Sequence, residues 1–231
     1  MMNAKTFRLF IILLISVGVL TVEAKTLDAP KQKDKPSLGL YLSTDVFGYI
    51  YPIFVKDPYY SAEVSATMNI NNRFLPVVEV GVGYTDMVSQ LYEIAYSTRA
   101  PYYRIGMDYN MQYENGKSSY IYLGGRVGYT SFEYSVDAPP LIDPVWGNEV
   151  PVLFTDIPCR AVWVEAVGGV RAEIAKNFYM GWSLRYKYPT RTAPVSHGGP
   201  WYIPGFGASK GAAFGATYTL SYYFNFTKKR K

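Results

Sequence analysis

From Ala212 to Phe226 the residues alternate almost without error. Ala212, Phe214, Ala216, Tyr218, Leu220, Tyr222, Phe224 and Phe226 fall on one side, and Ala213, Gly215, Thr217, Thr219, Ser221, Tyr223 and Asn225 on the other. Successive strand side chains point to opposite faces, so this segment as a strand presents one continuous apolar, aromatic-tipped surface and one small, polar surface. Lipid outside and a packed polar lumen inside account for both. The length suffices, because a tilted transmembrane strand needs about 9 to 11 residues.

The same period recurs along the chain. It predicts eight strands, over residues 38–47, 62–71, 77–85, 102–111, 120–132, 161–174, 179–188 and 212–226. The outward set includes Leu38, Leu40, Leu42, Val64, Met68, Val78, Val80, Ile105, Met107, Ile121, Val127, Val164, Trp182 and Leu184. The inward set carries five acids, Glu63, Glu79, Asp108, Glu165 and Glu173, and five bases, Arg104, Arg126, Arg171, Arg185 and Lys187. Gly81, Gly83, Gly106, Gly124, Gly128 and Gly169 share that face and leave room for arginines in a tight lumen. An even number of strands suits a closed antiparallel barrel.

The connections add an independent regularity. Residues 71–74, 114–117 and 175–178 read as short turns, the middle one carrying the hairpin signal Asn115-Gly116. Residues 48–61, 86–101, 133–160 and 189–211 read as long loops. The reading is therefore an all-β, closed antiparallel eight-stranded transmembrane β-barrel with four long extracellular loops and three short periplasmic turns, in the outer membrane. An eight-stranded barrel is just wide enough for side chains to fill. The ten inward charges balance as a structural network, and Glu165 and Glu173 are the expected partners of Arg171. No general diffusion channel is expected.

Hydrophobic residues make up 49% of the chain and aromatics 17%, with 23 Tyr and 4 Trp. Their dispersal by alternation fits lipid-facing strands with interfacial aromatic girdles. Residues 1–24, with Lys5 and Arg8 before an apolar run and Val22-Glu23-Ala24 at its end, read as a secretory signal peptide. Residues 25–37 read as a flexible periplasmic leader, 38–226 as the barrel, and 227–231 as a basic C-terminal tail. Cys159 is the only cysteine, which excludes an intramolecular disulfide. The net charge of +5 includes the leader and tail, and no basic patch interleaved with stacking aromatics points to nucleic acid. No phosphate loop, calcium loop or zinc spacing occurs, so no metal site and no cofactor is expected.

Two alternatives stand beside this reading. A soluble periplasmic ligand-binding barrel would place the charged faces outward and the apolar faces inward. A lipid A-modifying enzyme would need a nucleophile and a base, and the one histidine, His197, adjoins Ser196 in the last loop. Adjacent residues of an extended chain point apart, so the pair does not predict catalysis. Loop residues Tyr59, Tyr60, Tyr92, Tyr96, Trp146, Trp201 and Tyr202 are candidates for contacts with other envelope proteins or extracellular ligands, or for loop packing at the lipid interface.

The strand ends Val80-Gly81-Val82-Gly83-Tyr84 and Gly124-Gly125-Arg126-Val127-Gly128-Tyr129 and the aromatic final strand carry a resemblance. Over residues 38–226 the chain resembles the small eight-stranded outer-membrane barrels of the OmpA and OmpX type, and more narrowly looks like a group of such barrels from the Bacteroidota. The resemblance implies a lipid-embedded protein and makes Leu220, Tyr222, Phe224 and Phe226 the signal read by the barrel-assembly machinery. It departs from the usual pattern in that Thr227 and four basic residues follow Phe226.

Overall fold

The computed structural model describes residues 38–50, 58–89, 93–113, 119–142, 149–193, 199–209 and 211–226. The expected signal peptide, leader and basic tail lie outside the described residues. Seven strands follow one another as β1 (Leu38–Asp45), β2 (Tyr59–Ile70), β3 (Phe74–Ser89), β4 (Ile94–Asn110), β5 (Tyr120–Ile142), β6 (Glu149–Ala175) and β7 (Phe178–Ala193). Two very short ones come next, β8 (Tyr202–Ile203) and β9 (Gly207–Ala208), and β10 (Ala213–Asn225) is the eighth strand of the wall. All neighbours in the wall are antiparallel, and β1 pairs with both β2 and β10 to close the ring. Phe226 N donates to Leu38 O at 2.9 Å, so the two ends of the described barrel share one rim.

The alternation sorts onto the two faces as its period dictates. On the outer wall Ile105 is 63% exposed and Leu184 71%. Inside, Glu79 is 2% exposed and Glu165 4%. A wall of exposed Val, Ile, Leu, Met, Tyr and Phe is untenable in water, whereas lipid satisfies it, and closure leaves no open sheet edge in the hydrocarbon. The polarity is the reverse of a soluble ligand-binding barrel. This is a transmembrane β-barrel.

Tight turns close the rim that carries the chain ends. Asn71 and Asn72 adopt φ of 53° and 55°, and Asn177 adopts 66°, left-handed values that asparagine tolerates best among residues with a side chain. Residues 114–118, with the Asn115-Gly116 signal, lie outside the described residues. At the far rim the structure corrects the loop expectation. Most of residues 133–160 is strand: β5 and β6 continue as a two-stranded ribbon, with Phe132 opposite Cys159, Asp137 opposite Leu153 and Ile142 opposite Glu149. The β3–β4 hairpin likewise continues to Ser89 opposite Ile94. Above the apolar belt the outer face meets water and not lipid, so the alternation reverses polarity there, with Tyr96, Ala100, Phe132, Ile157 and Cys159 buried inside and Ser97, Arg99, Glu133 and Arg160 exposed outside, while the ladder continues. β1 is the short side of the wall, ending at Asp45, whose Oδ1 accepts from Phe47 N at 3.0 Å and from Tyr218 N at 3.1 Å.

Candidate functional site

Cross-strand register stacks the inward charges at one level. Glu79 of β3 lies opposite Arg104 of β4, Gly106 opposite Arg126, Arg126 opposite Glu165, Glu165 opposite Lys187, and Gly215 opposite Arg185. The side chains then bridge the lumen. Glu79 meets three guanidinium groups: Arg185 Nη1 at 2.6 Å, Arg104 Nη1 at 3.1 Å and Arg126 Nε at 3.2 Å. Glu63 pairs with Arg104 and, at 3.3 Å, with Arg185 Nη2. Glu165 pairs with Arg104 Nε at 2.9 Å and Arg185 Nη1 at 3.4 Å, and also accepts from Trp163 Nε1 at 2.6 Å. Arg126 forks onto Asp108, with Nη1–Oδ1 at 2.8 Å and Nη2–Oδ2 at 2.9 Å. Such bidentate, shared pairs offset the cost of taking charge out of water. Two glycines make the space: a Cβ on Gly124 would fall 2.0 Å from Asp108 Oδ1, and one on Gly128 2.1 Å from the Trp163 ring.

Above this cluster the chain returns into its own lumen. β8 and β9 form a small hairpin whose tip, Pro204-Gly205-Phe206, is buried. Arg104 Nη2 donates to Gly205 O at 2.6 Å, and Lys187 Nζ donates to Gly205 O at 2.9 Å and Phe206 O at 3.1 Å. Tyr96 OH donates to Tyr202 O at 2.9 Å, Tyr59 stacks on Tyr202 at 4.9 Å, and Phe206 packs edge-on to Trp163 at 6.0 Å. Gly205 has φ +80°, and a Cβ there would meet the Tyr102 ring at 2.4 Å, so the tip requires glycine twice over. Below the cluster, Arg171 sits over Tyr41 at 4.5 Å and Tyr122 at 5.7 Å and donates to Tyr120 OH at 3.1 Å. A void of about 20 Å³ between Arg171, Arg185, Glu79 and the Thr217 and Ser183 hydroxyls has room for about one water. A larger depression of about 680 Å³, lined by Leu123, Gly168, Leu184 and Phe214, lies on the lipid-facing wall and not in the lumen.

The structure thus brings Glu63, Glu79, Arg104, Asp108, Arg126, Glu165 and Arg185 into one network, with Lys187 holding the plug above it. It separates two others. Glu173 is exposed at the rim of the chain ends, beside a register shift between Glu173 and Ala175. Arg171 has tyrosines as its neighbours, and Glu165 reaches Arg104 and Arg185 in its place. Leu220, Tyr222, Phe224 and Phe226 face outward at that same rim, Tyr222 lying 5.0 Å from Phe178. Of the loop aromatics, Tyr202 is buried in the plug and Tyr96 is fully buried beneath it, so neither is a contact surface. Trp201 stacks on Tyr96 at 5.6 Å, and Tyr60 lies on the outer wall 6.1 Å from Tyr84. Tyr92, Trp146, Ser196 and His197 lie outside the described residues.

The plug was not read from the sequence, although Trp201-Tyr202-Ile203-Pro204-Gly205-Phe206 is an apolar run around a Pro-Gly turn inside a loop. Above the belt, burial pushes the Cys159 thiol above its ordinary range. Burial likewise pushes the Tyr96 hydroxyl well up, against the lowering effect of its bond to Tyr202 O. Among the described residues no group of three His, Cys, Asp or Glu side chains is placed to hold a metal ion.

A family model described as a domain of unknown function (DUF6048) matches residues 3–229. No curated protein matches the chain. Among solved structures the chain is similar to Neisserial surface protein A at 12% identity, over 81% of this chain and 96% of that one, with a TM-score of 0.43. It is similar to Ail, the attachment invasion locus protein of Yersinia pestis, at 9% identity, over 81% and 97%, with a TM-score of 0.40. A major outer membrane protein from Thermus thermophilus aligns at 8% identity, over 82% and 100%, with a TM-score of 0.46.

Proposed function

The chain belongs to the DUF6048 family, and from its geometry we propose that it is a non-enzymatic outer-membrane β-barrel, a scaffold with a side-chain-filled lumen and no general pore. The observation that carries this reading is closure at two levels. Three glutamates are each shared between arginines at mid-lumen, and the Pro204-Gly205-Phe206 tip is bonded above them. Charges engaged with one another are not free to conduct ions or to take part in proton transfer.

The rim with the chain ends is periplasmic and the ribbon rim extracellular, as long and short connections arrange themselves in such barrels. The ribbon is the surface that contacts other envelope proteins or extracellular ligands. Beyond Arg160, which pairs with Ala193, β6 has β5 alone beside it among the described residues, and Glu133, Asp137, Glu149 and Asp156 are exposed there with Ile142 and Leu153. Leu220, Tyr222, Phe224 and Phe226 serve as the assembly signal for the barrel-assembly machinery.

Purified protein reconstituted in planar lipid bilayers tests the sealed lumen. The expected result is a silent bilayer at voltages below breakdown. Steady, protein-dependent conductance in the wild-type protein would overturn the proposal.

A further inference from the structure

Outside the lumen, one cation is held in place without a countercharge among the described residues. Arg73, exposed in the β2–β3 turn, lays its guanidinium over three rings: Tyr113 at 4.8 Å, Phe74 at 5.1 Å and Tyr109 at 5.4 Å. The rings support one another edge-on, Phe74 to Tyr109 at 5.7 Å and Tyr109 to Tyr113 at 6.0 Å. The turn beneath is pinned. Arg73 N donates to Ile70 O at 3.1 Å, Asn110 N to Arg73 O at 3.0 Å, Asn110 Nδ2 to Asn72 O at 2.7 Å, and Asn72 N to Asn69 Oδ1 at 2.9 Å. All ion pairs among the described residues belong to the lumen, and Arg73 is in none of them. A guanidinium stays charged and presents planar donors that match a phosphate, and stacking on three rings lowers the entropic cost of holding it at the turn.

Depth decides which anion meets it. Directly inward from Phe74 and Tyr109 along the outer wall, Pro76 lies opposite Met107 and Val78 opposite Ile105, an apolar column that faces lipid tails. An anion at Arg73 with an acyl chain along Met107, Val78 and Ile105 has the shape of a phospholipid at the aromatic girdle. We infer that Arg73, cradled by Phe74, Tyr109 and Tyr113, is a binding site for the phosphodiester headgroup of an anionic phospholipid in the periplasmic leaflet. The site rests on the membrane-barrel reading and is independent of the sealed lumen.

The test is native mass spectrometry of the full-length protein released from micelles containing phosphatidylglycerol. The wild-type protein is expected to retain the lipid, Arg73→Gln to retain it about tenfold less, as loss of one charge-assisted pair implies, and Lys176→Gln, at another turn of the same rim, to match the wild type. Tyr109→Leu, which keeps the charge and removes the central ring, is expected to fall between. Equal retention by wild type and Arg73→Gln overturns the site, as does an equal loss in Lys176→Gln. Displacement by inorganic phosphate at the concentration of the lipid overturns the assignment to a lipid. Each variant is first checked for a heat-dependent shift on a denaturing gel. Should Arg73→Gln lose that shift, Arg73→Lys, which keeps the charge without the fork, takes its place and is expected to retain the lipid less than the wild type, equal retention overturning the site. A wild-type protein without the shift would count against the membrane barrel itself.

Discussion

Two carboxylate oxygens of Glu79 meet guanidinium nitrogens from three different strands, at 2.6, 3.1 and 3.2 Å. Removing one partner of a buried charge network leaves the others uncompensated, a loss of about 3 to 5 kcal/mol. Glu79→Gln is therefore expected to lower the stability of the barrel, read from urea unfolding in lipid vesicles, by that amount, whereas Glu173→Gln, at an exposed rim position, is expected to stay within about 0.5 kcal/mol of wild type. Cys159 gives a pH-dependent prediction. Its folded thiol is pushed up by burial, so the folded state holds the proton where the unfolded chain releases it. The stability from that difference is present below the ordinary thiol value of about 8.5 and is lost as pH rises above it. Between pH 7 and 10 the wild-type protein should lose stability relative to Cys159→Ala, a comparison in which contributions from the tyrosines cancel. Parallel curves would contradict the burial argument.

At the scale of elements, the β8–β9 hairpin converts a half-open mouth into a packed one. Tyr202, Ile203 and Phe206 join Tyr96, Phe132, Tyr134, Cys159 and Trp163 in one cluster, so the plug and the wall above the belt share a core. Gly205 makes this arrangement possible through both its φ of +80° and the 2.4 Å approach of the Tyr102 ring to where its Cβ would stand. Gly205→Ala is expected to expel the tip while the ladder of the wall persists. The measurement is alkylation of Cys159 by a small maleimide, which should be slow in the wild-type protein and at least about tenfold faster in the variant, since local opening exposes the thiol. An unchanged rate would mean that the tip stays docked. The long β5–β6 ribbon follows another rule: its ladder continues past the belt because the hairpin supplies its own hydrogen bonds, with bulges between Tyr134 and Val136 and between Ala138 and Leu141 bending it.

For the whole molecule, closure is the property that everything else depends on. With every strand paired on both sides through the belt, unfolding must break a ring and not merely peel an edge. Unboiled protein is expected to migrate as a compact, faster band on a denaturing gel and boiled protein as an extended one; identical mobilities would contradict a closed barrel. Most of this architecture was legible in the chain, because lipid outside and charge inside impose opposite polarity at every second residue of the strands between Leu38 and Phe226. The inward orientation of Glu63, Glu79, Arg104, Asp108, Arg126, Glu165 and Arg185 followed from that parity alone. Their partners did not, since pairing depends on strand tilt and on side chains crossing the lumen, which is how Glu165 comes to Arg104 and Arg185 while Arg171 comes to Tyr41, Tyr120 and Tyr122. The plug and the ribbon were illegible for a related reason: above the belt water replaces lipid outside and the alternation reverses polarity, so it no longer reads as transmembrane strand, and a loop can turn inward or continue as strand with the same composition. The sequence by itself determined which face of each strand meets lipid, because local periodicity suffices for that. Only the tertiary structure decided which charges meet and what fills the mouth, because those contacts join residues as far apart as Glu63 and Arg185 or Arg104 and Gly205, and nothing in a local pattern fixes distances across a lumen.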